Sequence, residues 1–347
     1  MPDPEAGSAT IRDCVVTGAA GWLGQNLVRT LAGAGRRVRC LVHDPAEGPL
    51  LELIGPGVDT VVGDTRDPSA LDRLFDGVGP STVFHAAAVI HPDGSTRDFF
   101  DVNVGGTQLV LDRARRAGAR RFLHVSSNSP FGANPSVDHR FTEDSPYHPY
   151  LAYGQSKFEA EQLVTRAGAR GDLATVILRA PWFYGPYQPP RQSRFFSAVR
   201  RGRFPLIGDG TSRRSMVYTD NLVQGLLRAE ATEAAAGRSY WIADAEPYAM
   251  ADVLDTVRAA LEAEGLTVSS RQLRVPALVG VAAERADRLL QSRGRYVQPV
   301  HVLGELKDTI ACDIGRAQAE LGYEPEIGLV EGMRRSIRWC LDRGEAL

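Results

Sequence analysis

Short apolar runs rich in β-branched residues alternate along this chain with longer stretches in which apolar side chains recur every three or four positions. Ile11, Val15 and Val16 make the first run; it stops at Gly18, and Leu23, Leu27, Val28 and Leu31 then share one helical face. Further strands are expected at 38–42, 58–62, 82–88, 121–126 and 174–179, with helices at 68–75, 98–117 and 150–167 among them. Such alternation predicts a parallel sheet covered by helices on both faces. The rhythm breaks at Pro181, and prolines at 181, 186, 189, 190 and 205 predict loops around one short helix at 195–200. Helical spacing returns at 218–230, 250–264, 276–290 and 329–341, with a last strand at 240–243.

The fold class expected is α/β: a doubly wound parallel Rossmann-like sheet with a smaller mixed C-terminal substrate lobe. The dinucleotide-binding domain spans 11–180 with 216–243 laced back into it, and 181–215 and 244–343 form the substrate-binding lobe. At 347 residues with 43% hydrophobic content, the chain is long enough for one large core and a lobe. A net charge of -2 gives no long-range pull toward nucleic acid or an anionic membrane. Cys14, Cys40, Cys312 and Cys340 are scattered without a C-x-x-C pair, which fits a reducing cytoplasm and offers no metal site. No run reaches the length of a membrane span. The first ten residues lack the basic and apolar regions of a signal peptide and read as a loose leader.

Two local patterns carry chemistry. Gly18, Gly21 and Gly24 follow a strand and open a helix, where the first-turn N–H groups face an anion such as a pyrophosphate. Gly18 permits the turn, Gly21 lets backbone approach the phosphates, and Gly24 lets helix and strand pack closely. Tyr153 and Lys157 stand at i and i+4 on one helical face. A phenol of unperturbed pKa near ~10 becomes a usable proton carrier beside a fixed cation. By itself that pair is common on solvated helices; Ser126-Ser127, closing a buried-type strand at the edge where α/β sheets bind ligands, is what supports the catalytic reading.

Taken together, the glycine turn, Asp64, His85-Ala86-Ala87-Ala88, Asn103, Ser126-Ser127, Tyr153-x-x-x-Lys157 and Arg179-Ala180-Pro181-Trp182-Phe183-Tyr184-Gly185-Pro186 resemble the extended short-chain dehydrogenase/reductase family, of the NAD-dependent epimerase/dehydratase type. The closing segment around Asp313-Ile314-Gly315-Arg316 and Leu321-Gly322-Tyr323 is similar to that family's end. The resemblance implies that Tyr153 is the acid/base, Lys157 lowers its pKa and holds the nicotinamide ribose, and Ser127 hydrogen-bonds the reacting oxygen. It places Gly18, Gly21, Trp22, Leu23, Gly24, His43, Asp44, Asp64, Thr65, Ala86, Ala87, Ala88, Asn103 and Pro181 at the cofactor, together with Tyr153 and Lys157. Asn103 is equally well read as a buried asparagine tying the sheet together. Asp44, twenty residues past Gly24, is placed to take ribose hydroxyls and favours NAD; His43, Arg36 or Arg37 near a 2′-phosphate leaves NADP open.

Asn128-Ser129 stand after the hydroxyl residue where dehydrating and decarboxylating relatives carry acids, so reversible hydride transfer remains, by an epimerase or by a dehydrogenase/ketoreductase. Arg213, with Arg214 behind it, matches the segment that holds a nucleotide sugar's diphosphate, and Asn128 and Tyr184 complete the expected substrate contacts. Arg191, Arg200 and Arg201 read as well as a solvated basic rim. Against a sugar stands the apolar run at 276–290, similar to that of 3β-hydroxysteroid dehydrogenases and dihydroflavonol reductases, unless it is lobe core. A non-catalytic cofactor-binding regulator is a third reading. The resemblance also implies a homodimer built on the helices at 98–117 and 150–167.

Overall fold

Strands β1 (Cys14–Thr17), β2 (Val38–Val42), β3 (Val58–Val62), β4 (Thr82–His85), β5 (Arg121–Ser127) and β6 (Ala174–Ala180) lie side by side in the order β3-β2-β1-β4-β5-β6, every pair parallel. The computed structural model describes residues 14–347, so Ile11 and the leader lie outside the described residues. Successive strand residues point to opposite faces. Val16, Phe84, Leu123 and Leu178 enter one core, while their neighbours Val15, Val83, Phe122 and Ile177 enter the other.

The helices of this half are α1 (Trp22–Gly33), α2 (Glu47–Glu52), α3 (Pro68–Phe75), α4 (Arg97–Phe100), α5 (Thr107–Arg116) and α6 (Leu151–Gly168). The stretch expected as one helix at 98–117 is divided, because a π-helical turn (Asp101–Gly106) joins α4 to α5. Such wide turns concentrate at functional sites. Here the turn carries Asn103.

The proline-rich region holds more order than its sequence predicts. Strand β7 (Trp182–Tyr184) precedes α7 (Pro190–Arg200), and β8 (Pro205–Ile207), β9 (Arg213–Arg214) and β10 (Met216–Tyr218) follow. β10 pairs β7 in parallel outside the main sheet. Helix α8 (Thr219–Ala231) then packs against α1, and β11 (Ser239–Trp241) joins β6 as the seventh strand of the sheet.

The lobe contains β12 (Tyr248–Ala249), α9 (Met250–Ala263), β13 (Leu273–Val275), α10 (Ala277–Gln291), α11 (Gln298–Glu305), α12 (Gly315–Leu321) and α13 (Leu329–Asp342). β9 pairs β12, and β8 pairs β13. Its core joins Phe196, Leu206, Met216, Leu254, Met333 and Ile337. Two expectations change here. Ile314, Ala317, Leu321 and Tyr323 around α12 pack into the sheet's core, although 244–343 was assigned to the lobe. The apolar run of α10 is not lobe core either: Leu278 and Leu289 are 79% and 54% exposed, and the buried positions are Gly280, Ala283 and Asp287. Small residues let α10 lie close on α11, since a Cβ on Gly304 would stand 3.1 Å from the Glu284 Cα.

Candidate active site

β1 ends in a turn closed by backbone contact. Gly18 has φ +71°, and a Cβ there would lie 2.7 Å from the Ala87 nitrogen; one on Gly24 would lie 2.0 Å from the Gly18 carbonyl. Gly21 caps α1 without a side-chain acceptor and is exposed, so the first N–H groups of α1 remain open to an anion. Ala86 and Ala87 reach the turn because β4 is the neighbour of β1, the Ala86 N–H donating to the Thr17 carbonyl at 3.1 Å. The residues therefore fit the diphosphate of a dinucleotide.

Trp22 and Leu23 are buried, and Trp22 is turned to the chain after β7. Its Nε1 donates to the carbonyls of Gly185 (3.2 Å) and Pro186 (3.0 Å), and its ring lies 4.9 Å from that of Phe183. At the ends of β2 and β3, His43 Nδ1 lies 3.5 Å from Asp64 Oδ2. Arg66 binds the same carboxylate at 2.8 Å and holds its pKa below the usual range. Asp44 Oδ1 accepts from the Ala46 N–H at 2.9 Å, and its side chain is exposed. Arg36, weighed for a 2′-phosphate, is instead held by Glu230 at 2.6 Å. Thr65 is buried against the π-helical turn, where a Cβ on Gly106 would meet its Oγ1.

The candidate catalytic residues come from the end of β5 and the first two turns of α6. The Tyr150 N–H donates to the Ser129 carbonyl at 2.9 Å, Leu151 enters the helix at φ +53°, and a Cβ on Gly154 would lie 2.5 Å from that same carbonyl. Only a glycine allows α6 to approach the Ser129 loop so closely, and the approach brings Tyr153 to Ser127. Burial pushes the Tyr153 phenol up to about 12, against the downward pull of a hydrogen bond with Ser127; Glu305 raises it and Arg191 lowers it.

Lys157 follows Tyr153 by one turn of α6. It is 2% exposed, and its Nζ donates to the Val125 carbonyl at 2.8 Å and lies 3.3 Å from His124 Nε2. Burial lowers the Lys157 pKa to about 8, partly offset by Glu161. His124 stacks on His85 at 5.4 Å, and His85 is fixed by Thr17 Oγ1 (2.7 Å) and Thr107 Oγ1 (2.8 Å). Burial, reinforced by the Lys157 charge, keeps both imidazoles neutral, His85 at about 3. Asn103 does the structural work weighed for it: its Oδ1 accepts from the Val89 N–H (2.8 Å), and its Nδ2 donates to the Val89 carbonyl and to Ser156 Oγ, both at 3.0 Å.

On the substrate side, Asn128 lines a small cavity with Ser129, Tyr150, Glu305 and Asp308. Tyr184 does not face it. Its ring is fully buried in the lobe core and its hydroxyl donates to Asp244 at 2.6 Å, with β7 paired to β10. Arg213 is half-buried, with Nη1 on the Pro247 carbonyl at 3.3 Å, and Arg214 is buried with Nη2 on the Glu305 carbonyl. Pro181 separates β6 from β7.

Sequence reasoning missed the wall contributed by α10, α11 and the loop between them. His91 Nδ1 meets the Tyr296 hydroxyl at 2.6 Å, and the Tyr296 ring lies 5.5 Å from Phe99, itself 5.6 Å from Tyr153. His301 pairs with Asp287 at 2.7 Å, and its ring lies 5.6 Å from that of Tyr150. One signal was available: Asp287 interrupts the apolar run, and it is the fully buried polar position of α10. Among the described residues no group of acidic, histidine and cysteine side chains is arranged to hold a metal, and no helix is long and apolar enough to cross a membrane.

A model of the NAD dependent epimerase/dehydratase family matches residues 14–243. The chain is 31% identical over 335 residues to a 2-alkyl-3-oxoalkanoate reductase of Stenotrophomonas maltophilia, covering 92% of this chain and 97% of that protein. It is 30% identical over 327 residues to a 3 beta-hydroxysteroid dehydrogenase/Delta 5-->4-isomerase of Mycobacterium tuberculosis, covering 90% and 85%. Its structure is similar to that of a dTDP-glucose 4,6-dehydratase of Streptomyces venezuelae solved with NAD and TYD bound, with a TM-score of 0.73, 26% identity and coverage of 96% and 98%.

Proposed function

The chain belongs to the NAD-dependent epimerase/dehydratase family, and from that premise we propose that Ser127, Tyr153 and Lys157 serve reversible hydride transfer at a secondary alcohol or ketone carbon. The observation that carries this reading is the approach of α6 to the Ser129 carbonyl at Gly154, which joins Tyr153 to Ser127 at the carboxyl edge of the sheet. The nicotinamide of NAD, when bound, supplies or takes the hydride. Gly18, Gly21 and Gly24 would hold its diphosphate, and Asp44, His43, Asp64, Thr65 and Ala86 to Ala88 would serve its adenosine half. In reduction, Ser127 holds the carbonyl oxygen and Tyr153 gives that oxygen its proton, which solvent then restores; in oxidation the proton runs the other way. The Lys157 ammonium, held in this structure by the Val125 carbonyl, would use a remaining donor to hold the ribose.

For the substrate, a nucleotide sugar is supported by Arg213, still half-exposed on β9, while Arg214 is spent on the Glu305 carbonyl. The reaction is then an epimerisation or a keto-sugar reduction, since Asn128 offers no carboxylate for elimination. A second reading, a bulky hydrophobic alcohol or ketone, is favoured by the similarity to the oxoalkanoate reductase and the hydroxysteroid dehydrogenase. Assembly as a homodimer through α5 and α6 is proposed with either, and light scattering tests it.

Thermal-shift titration of the NAD complex with UDP- and dTDP-sugars, sterols and 2-alkyl-3-oxoalkanoates selects between the readings. Turnover of the responding compound is expected to fall about 10²–10⁴-fold in Tyr153→Phe, with NAD affinity kept. Unchanged turnover in that variant overturns the catalytic assignment.

A further inference from the structure

An α-helix begins with backbone N–H groups that its own turns do not satisfy. The cap residue of α6 is Tyr150, which makes no side-chain bond to the first turn. The Ala152 N–H donates instead to Gln291 Oε1 at 3.2 Å, from a side chain 139 residues further along and at the last position of α10. A helix of the lobe therefore caps the helix that carries Tyr153, one residue before it.

Gln291 is itself held. Its Nε2 donates to Asp287 Oδ1 at 2.9 Å, one turn back on α10, and Asp287 Oδ2 accepts from His301 Nδ1 of α11 at 2.7 Å. Asp287 is fully buried and His301 is 5% exposed. The His301 ring lies 5.6 Å from that of Tyr150, which closes the circuit on α6. A backbone N–H only donates and a carboxylate only accepts, so the amide of Gln291 must present its oxygen to Ala152 and its nitrogen to Asp287. Neither a carboxylate nor an apolar side chain at 291 meets both demands.

The backbone at this point needs a tie on each side. Leu151 stands at φ +53°, a left-handed conformation disfavoured for a residue with a Cβ. Before it, the Tyr150 N–H is tied to the Ser129 carbonyl at 2.9 Å; after it, Ala152 is tied to Gln291. Without the second tie Leu151 can relax, and the first turn of α6 moves with it.

We propose that Gln291, held by Asp287 and His301, is a positioning residue: from the substrate lobe it caps α6 at Ala152 and fixes where Tyr153 stands against Ser127. Its effect on turnover rests on the proposed hydride chemistry at Tyr153, whereas its effect on α6 does not.

Two measurements on the NAD complex of the full chain test it: amide hydrogen exchange across 151–153 by mass spectrometry, and kcat and KM with the compound of the thermal-shift panel that the native protein turns over. Gln291→Leu is expected to speed exchange about 10-fold and to lower kcat on the order of 10-fold, with KM kept within about 2-fold. Gln291→Glu keeps the acceptor for Ala152 but sets a second carboxylate against Asp287, and a similar loss is expected. Adding Asp287→Asn to Gln291→Glu reverses that contact, since the new amide donates to the new carboxylate while its oxygen still accepts from His301. The double variant is expected to recover most of both losses, and Leu289→Ala, on the exposed face of α10, to change neither. Unchanged exchange in Gln291→Leu, faster exchange with kcat unchanged, or a double variant no better than Gln291→Glu overturns the proposal. Exchange that speeds and recovers as described, in a protein that turns over no compound of the panel, leaves the cap standing and removes the hydride chemistry instead.

Discussion

Lys157 donates from Nζ to the main-chain carbonyl of Val125 at 2.8 Å, beneath the turn of α6 that carries Tyr153. The ammonium is held out of water, and its folded-state pKa of about 8 lies below the ordinary 10.5. The unfolded chain therefore binds that proton more tightly. The cost to folding is complete below about pH 8 and is relieved as pH rises from there through the unfolded value. Lys157→Met removes the titration, so the stability of native relative to variant protein is expected to rise by on the order of 2 kcal/mol between about pH 7 and pH 10. Urea unfolding of both proteins at the two pH values measures it; a pH-independent difference would show that Lys157 is not desolvated as described.

Two glycines of α1 are expected to respond oppositely to the same change. A Cβ on Gly24 would lie 2.0 Å from the Gly18 carbonyl, whereas one on Gly33 would meet nothing within 4 Å. Gly24→Ala must pull the helix off the turn, and loss of NAD binding with a lower melting temperature is expected. Gly33→Ala is expected to gain about 0.5–1 kcal/mol from reduced freedom of the unfolded chain, with NAD affinity kept. Fluorescence titration with NAD and thermal unfolding separate the two.

Gly154→Ala addresses the catalytic edge. The added methyl would stand 2.5 Å from the Ser129 carbonyl and 3.2 Å from the Pro149 carbonyl carbon, so the start of α6 must move away from β5. Displacing Tyr153 from Ser127 by about 1 Å is expected to cost on the order of 10²-fold in kcat. The measurement is single-turnover hydride transfer with saturating cofactor, and an unchanged rate would mean that the close approach does not position Tyr153.

The main sheet was legible because its strands and helices are long enough to carry a period: β2, β3 and α3 fall at the expected residues, and Val15 and Val16 divide between the two faces. Strands β7 to β10 were not, because pieces of two or three residues between prolines show no alternation. The site divides in the same way. Ser127, Tyr153 and the glycine turn are local patterns, and the structure brings the first two together. Tyr296 meets Phe99, and His301 meets Tyr150, only through the packing of α10, α11 and the loop between them, which no local spacing announces. Tyr184 failed for the converse reason: it sits in a motif near the site, but the pairing of β7 with β10 turns its hydroxyl to Asp244.

Beneath the candidate catalytic residues, Glu161 and Arg179 form an ion pair at 2.9 Å with side chains 0% and 3% exposed. Ser126 Oγ and Tyr147 Oη donate to the same carboxylate at 2.6 and 2.7 Å, and the guanidinium lies 4.6 Å from the Phe131 ring centroid. A pair this deep adds little net stability over a well-packed apolar pair, but breaking it strands a buried charge. Arg179→Met is therefore expected to destabilise the protein by about 3–5 kcal/mol, and Arg179→Met combined with Glu161→Leu to recover a large part of that loss. A double-mutant cycle by urea unfolding measures the coupling. The pair also reaches the site, because Glu161 raises the Lys157 pKa against the effect of burial. Glu161→Gln is thus expected to lower it further, so that the ammonium is lost at lower pH. The limb of the kcat profile that follows Lys157 shifts toward acid if the ammonium is required for turnover. An unshifted limb with the expected loss of stability would confine Glu161 to a structural role.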